Sequence, residues 1–157
     1  MNVAKKKSLQ YLMINKKNRF GYTPLHKAVL CGNKSCIEEI IKNDANILEQ
    51  TNFGENVLHL ATRAGNLDMI KFLKETLKIS TNIHENSGQT LIHLSIHQES
   101  TDILEYLLET GADIEERTFN QMTPYLIAIK LCHIEHFEIL KMYNAKTTVT
   151  DAKCRTA

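Results

Sequence analysis

The sequence predicts an all-α solenoid of four stacked helix–turn–helix repeats carrying projecting β-hairpin fingers. Three observations predict it. A six-residue frame returns at offsets of 33, 34 and 33 residues. Each copy is followed by two apolar stretches with helical spacing. The glycines fall between these stretches, at the positions where such units must turn. A fixed period of this length marks stacked supersecondary units, none of which buries its apolar face alone.

The first copy reads Thr23-Pro24-Leu25-His26-Lys27-Ala28 and runs on to Gly32-Asn33. Thr23 is placed to cap a helix. Pro24 takes the first helical position, where a missing N–H costs nothing. Leu25, Ala28 and Val29 form the inward stripe. Helix two follows at Cys36–Ile41. The second copy is Asn56-Val57-Leu58-His59-Leu60-Ala61 with Gly65-Asn66, and its second helix spans Met69–Leu73. The third is Thr90-Leu91-Ile92-His93-Leu94-Ser95, with Glu99 at the inter-helix turn and a second helix over Ile103–Leu108. The fourth, Thr123-Pro124-Tyr125-Leu126-Ile127-Ala128, has Leu126 for the histidine, Cys132 for the inter-helix glycine and Gln121 for the finger glycine. Gly21, Gly54 and Gly88 turn the first three fingers, and Gly111 begins an exit loop. The one extra residue falls near Thr76–Ser80, where insertion is tolerated. The frame Thr-Pro-Leu-His at this period resembles the ankyrin repeat over about residues 18–150.

This register divides the chain into a basic leader and partial cap (1–20), repeats at 21–53, 54–87 and 88–120, a degenerate fourth repeat acting as C-cap (121–149) and a tail (150–157). Leu9, Tyr11, Leu12 and Ile14 in the leader are expected to cover the open face of repeat one, because end repeats need caps.

Composition sets the outer bounds. The 157 residues are 43% hydrophobic, enough for a core, and 19 Lys and Arg against 18 Asp and Glu give a net charge of +1. That balance argues against a bulk nucleic-acid binder, and no 18-residue apolar run exists to span a membrane. The lysines near the start are followed by no apolar h-region, so no signal peptide is read. The charge is uneven, since residues 1–20 carry six basic residues and no acid while the rest of the chain stands at −5. Lys5-Lys6-Lys7 reads equally as a short nuclear signal and as a solubilising edge. Cys31, Cys36, Cys132 and Cys154 have irregular spacing and read as free thiols of a reducing compartment.

No catalytic motif, cofactor loop or metal-ligand set is read. Cys132, His133 and His136 have helical spacing but supply too few ligands. His26, His59 and His93 repeat with the frame, which assigns them to structure: each bonds its capping residue and neighbouring backbone.

A stacked array builds a groove from its fingers and first helices. The register places Phe20 and Tyr22, Phe53 and Glu55, Gln89, and Met122 on the fingers. It places Lys27, Leu60, Leu94 and Ile127 in one helix row, and Leu30, Arg63, His97 and Lys130 in the next. These fourteen residues are the expected protein-binding set. The fingertip aromatics and an apolar Leu60–Leu94–Ile127 row carry that expectation.

The segments Gly111–Ile114 and Arg117–Tyr125 are similar to the closing repeats of inhibitors of NF-κB, which also place an aromatic finger before Ser/Thr-Pro-Tyr. That resemblance implies a Rel-homology transcription factor as partner, held in the cytoplasm or reached in the nucleus. The chain carries neither the Asp-Ser-Gly degradation signal nor the acidic Pro-rich tail of that family. In this it resembles the short viral ankyrin mimics, the vankyrins, which act inside a host cell and are not removed by degradation. Its acidic body suits a partner's basic nuclear-localisation segment. The alternative is an ankyrin adaptor or host-interaction effector for a kinase or ubiquitin-ligase component, and self-association through repeat four stays open. Kinase-inhibitor arrays of four repeats shorten helix one of repeat two, whereas Val57–Ala64 reads as full length.

Overall fold

The computed structural model of the chain describes residues 11–148. After a helical stretch at residues 11–14, eight helices follow in order among the described residues: α1 (Pro24–Leu30), α2 (Lys34–Lys42), α3 (Val57–Arg63), α4 (Leu67–Leu77), α5 (Leu91–Ser95), α6 (Asp102–Glu109), α7 (Pro124–Leu131) and α8 (Ile134–Met142). Odd-numbered helices are the first of each repeat and even-numbered ones the second. Each pair packs internally, and α1, α3, α5 and α7 pack side by side in a row. One apolar core runs through repeats one to three around Leu25, Leu58, Ile70 and Leu107. A second, around Ile92, Leu104, Leu126 and Leu140, joins repeats three and four.

Local chemistry starts and stops each helix. Thr23 Oγ1 accepts from His26 N, and Asn56 Oδ1 accepts from Leu58 N and His59 N. Asn33 and Asn66 cap the second helices through the backbone N–H of Cys36 and Met69, each at 2.9 Å. Second helices end on left-handed residues, Asp44, Lys78, Gly111 and Asn144. In three of them the following N–H reaches back to close the last turn: Ala45 to Ile40 O, Ala112 to Leu107 O and Ala145 to Leu140 O. The extra residue of repeat two is taken up by α4, eleven residues long, which ends on Lys78.

Two departures from expectation are structural. Repeat four keeps its turns although the glycines are gone, because Gln121 and Cys132 adopt φ of 60° and 57°. The shortened first helix belongs to repeat three: α5 has five residues, and no left-handed residue stands at Glu99 to turn the chain tightly. α3 spans seven residues, Val57–Arg63.

The fingers have hairpin bonding without strands; among the described residues no β-strand occurs. In finger two, Gly54 N donates to Thr51 O and Thr51 N donates to Glu55 O. The same pair of bonds closes 18–22, 85–89 and 118–122. This is a turn followed by a left-handed residue, the bonding of a short hairpin loop. No ladder follows, because each finger spends its remaining backbone groups on its neighbour. Asn52 N donates to Phe20 O, Asn86 N to Phe53 O and Phe119 N to Ser87 O.

The leader is tied down differently from expectation. Residues 11–14 are helical, yet Tyr11 and Leu12 are exposed and only Ile14 is half-buried. Polar contacts hold the segment instead. Asn46 N donates to Asn15 Oδ1 at 2.6 Å, and Lys17 Nζ donates to Gln50 O while pairing with Glu49. Leu9, Lys5-Lys6-Lys7, Cys154 and the 150–157 tail lie outside the described residues.

Candidate functional site

The motif histidines are structural, as their geometry shows. His26, His59 and His93 are buried. In each, Nδ1 accepts the backbone N–H of the helix-capping residue, at 3.1, 3.3 and 3.2 Å. Nε2–H of His59 donates to Ile83 O, and that of His93 faces Glu116 O and Met122 O across to the next repeat. These partners fix the neutral Nε2–H tautomer. Burial pushes the pKa of all three below the ordinary 6.5.

Repeat two carries a local defect in this scheme. In repeats one and three a threonine hydroxyl lies 2.9 and 3.0 Å from Nδ1 and donates to it. In repeat two, Asn56 Oδ1 lies 2.7 Å from His59 Nδ1, and both atoms are acceptors. Asn56→Thr restores the donor and is expected to stabilise the array by about 1 kcal/mol. A urea midpoint that stays put or falls overturns that expectation.

The predicted binding set divides sharply. Phe20 and Phe53 stand exposed at fingertips, 44% and 53%, with the Arg19 guanidinium stacked 4.6 Å from the Phe20 ring. Lys27, Leu30, Arg63, His97 and Lys130 are exposed. Tyr22, Gln89 and Met122 are half-buried. Tyr22 meets His26 edge-on at 6.1 Å and carries the Lys27 ammonium 4.8 Å over its face, so it serves the fold as well.

Four residues of the set are corrected. Leu60, Leu94 and Ile127 are 2%, 2% and 8% exposed and offer no apolar row to a partner. The first helices pack directly against one another, and these side chains are consumed in the stack. Lys27 escapes because no first helix precedes α1. Glu55 is also buried, where it accepts from Arg63 Nε at 2.8 Å.

Two features lie outside the expected binding set. Phe119 is 70% exposed on the fourth finger, one place earlier than the aromatics of fingers one and two. The aromatic finger within Arg117–Tyr125 is read from the sequence, but aligning the fingers on Phe20 and Phe53 leaves Phe119 out of the expected binding row. The other feature is the clamp at each finger's first residue. Asn18 Oδ1 accepts from Phe20 N and Tyr22 N, Thr51 Oγ1 from Phe53 N and Glu55 N, and Glu85 Oε1 from Ser87 N and Gln89 N. The fingers are therefore rigid platforms. Burial works to raise the Glu85 pKa, but these hydrogen bonds outweigh it and hold it below 4.5.

Fingers three and four and α7, with His97, line a depression between Ser87, Gln89, Thr118, Asn120, Met122, Ile127, Lys130 and Leu131. Elsewhere His133 and His136 lie 5.4 Å apart, ring to ring, but His133 Nδ1 is bonded to Ile96 O. Among the described residues no three His, Cys, Asp or Glu side chains gather to hold a metal, and no helix is long and apolar enough to cross a membrane. Cys31, Cys36 and Cys132 are exposed free thiols.

The family model for ankyrin repeats, in three copies, matches residues 1–85 and 74–151. The chain belongs to the ankyrin-repeat family. Ankyrin arrays are protein–protein interaction modules, and the rigid fingers beside a row of first helices are that architecture here. The array is similar to the nuclear factor NF-kappa-B p105 subunit of Gallus gallus, 32% identical over 77 residues, covering 49% of this chain and 8% of that protein. It is similar also to alpha-latrotoxin-Lg1a of Latrodectus geometricus, 31% identical over 80 residues, covering 50% of this chain and 6% of the toxin. The chain thus spans less than a tenth of either relative.

Proposed function

We propose that this ankyrin array is a non-enzymatic binding module that holds a Rel-homology transcription factor on its finger-lined face, as an inhibitor of the NF-κB type. The observation that carries the binding face is the set of exposed aromatics. Phe20, Phe53 and Phe119 stand 44%, 53% and 70% exposed on turns that the structure makes rigid. A large apolar side chain gains nothing from folding at such a place, while a rigid aromatic is well suited to anchor a partner. The likeness of half the chain to p105, together with the Thr123-Pro124-Tyr125 finger base, supports a Rel-homology partner.

The test is direct binding to a purified Rel-homology protein. The double variant Phe20→Ala, Phe53→Ala is expected to weaken the complex at least about tenfold. Its thermal midpoint should stay that of the parent, because neither ring belongs to the core. Absence of any complex, or capture of a kinase or ubiquitin-ligase component instead, overturns the Rel assignment.

A further inference from the structure

The fingers join one another through a single repeated contact. Asn52 N donates to Phe20 O at 3.1 Å, Asn86 N to Phe53 O at 3.0 Å and Phe119 N to Ser87 O at 3.2 Å. The acceptor in each case is the residue just before the finger glycine. A side-chain rung runs beside the first two bonds, where Asn52 Nδ2 donates to Arg19 O and Asn86 Nδ2 to Asn52 O. Gly21, Gly54 and Gly88 are buried at these junctions. Their φ values of 84°, 78° and 81° are left-handed, and the neighbouring finger leaves no room for a side chain. A Cβ on Gly54 would sit 2.8 Å from Asn86 N, one on Gly88 would sit 2.6 Å from Phe119 N, and one on Gly21 would collide with Asn52 N. Each junction thus requires glycine twice, by torsion and by close approach.

Finger four departs from this rule at the same place. Gln121 stands where the glycines stand, with φ of 60°. Its N–H donates to Thr118 O at 2.8 Å, the bond that Gly21, Gly54 and Gly88 make to Asn18, Thr51 and Glu85 in their own fingers. Since the turn is the same, the Cβ of Gln121 takes the place where a Cβ on the three glycines would strike the next finger. Gln121 is exposed, whereas the glycines are buried. A left-handed glutamine is less favourable than a left-handed glycine, so the turn itself gains nothing from it. The next acceptor of the ladder is Asn120 O, one residue before Gln121. The side-chain rung also stops at finger four, because Phe119 holds the place of Asn52 and Asn86 and has no amide side chain to donate.

We infer that Gln121 ends the finger ladder, so that no further ankyrin finger docks on repeat four, whether it belongs to a fifth repeat or to finger one of a second copy of this chain. A row of backbone N–H and C=O groups at an open edge is a template for adding another chain. Finger one of a second copy would bring Arg19 N, the equivalent of Asn52 N, Asn86 N and Phe119 N, up to Asn120 O. Head-to-tail contacts that do not close into a ring build filaments. The Cβ of Gln121 stands against that incoming backbone N–H, and a backbone group cannot swing aside as the end of a flexible side chain can. The barrier is steric and independent of what the finger-lined face binds. A partner at that end of the array meets it without extending the finger row.

Transplanting the residue tests the stop on the full chain. Gly88→Gln gives finger three the side chain of finger four, and amide hydrogen exchange reads the result at the Phe119 N–H, the donor across that junction. Its exchange is expected to speed up at least about tenfold relative to the Asn86 N–H, the donor at the preceding junction. Gly32→Gln controls for torsion alone, since Gly32 has φ of 72° and nothing nearer than 4.0 Å to an added Cβ. It should change the ratio of the two rates by less than about twofold. Where Gly88→Gln fails to fold, Gly88→Ala places the same carbon with nothing beyond it and should move the ratio in the same direction. An unchanged ratio in both Gly88 variants, or an equal change from Gly32→Gln, overturns the inference. Sedimentation tests the second copy. Gly21 N donates to Asn18 O, so Arg19 is the second residue of a turn, a position that accepts proline. Arg19→Pro removes the N–H that finger one would offer and should leave the mass of the parent unchanged at every concentration. A parent mass that rises with concentration and falls back with Arg19→Pro overturns the stop.

Discussion

Gly54→Ala is expected to destabilise the array by about 2–4 kcal/mol. Gly54 has φ of 78°, and a Cβ there would sit against Asn86, 2.8 Å from its backbone N and in collision with its Oδ1. That same N–H donates to Phe53 O, and Asn86 Nδ2 donates to Asn52 O. The methyl group therefore strikes the bonds that join finger two to finger three. Gly111→Ala isolates the torsional share. Its φ is 84°, but nothing lies within 4 Å of the added carbon, so about 1 kcal/mol is expected. Urea unfolding of the two variants side by side measures the difference. In a linear stack each unit is held by its neighbours, so loss of this junction should also broaden the transition. Equal costs for the two substitutions would mean that close approach of the fingers contributes nothing.

Acid should unfold the protein well above the range where carboxylates titrate. His26, His59 and His93 have pKa values pushed below 6.5 by burial, while in the unfolded chain they return to it. The unfolded state then binds more protons than the folded one. Stability is full above 6.5 and is lost as pH falls below it, until the folded-state values are passed. Each proton taken up on unfolding steepens the loss by about 1.4 kcal/mol per pH unit. The buried His136 is shifted the same way by burial, with a further push from His133, and adds to it. Glu49, held low by its hydrogen bond and ion pair with Lys17, and Glu85 lose their contributions only below 4.5. Urea midpoints measured from about pH 7 to pH 5 separate the two windows. A flat profile in that span would show that the imidazoles are not locked in the neutral form.

Much of this was legible in the residues because repetition amplifies a weak signal. One Thr-Pro-Leu-His frame is a coincidence; four frames at a fixed period are an architecture. The degenerate copy keeps its turns, since Gln121 and Cys132 take up the left-handed conformation that glycine occupies in its neighbours. Burial was less legible. Leu60, Leu94 and Ile127 lie on the side of helix one that the register turns toward the groove, and the spacing is the same whether that side meets solvent or a neighbouring helix. Phe119, read as a finger aromatic, fell outside the expected binding row because the fourth finger keeps its bonds while shifting its aromatic by one place. α5 is short where no left-handed residue stands at Glu99, whereas Gln121 and Cys132 adopt the left-handed turn without being glycine.

The sequence by itself determined the repeat and the helix starts, because those depend on contacts within a few residues, whereas the far side of His59 and His93 is bonded only through the stack, to Ile83 O and to Glu116 O and Met122 O. Only the tertiary structure decided where the charge lies. The uneven charge read along the chain, a basic leader before an acidic body, is also uneven across it: the first helices carry three cations and no acid, the second nine acids and five lysines, and the other nine acids lie outside these helices. A linear count adds both layers together. Stacking separates them, since alternate helices of every repeat are sorted to opposite sides.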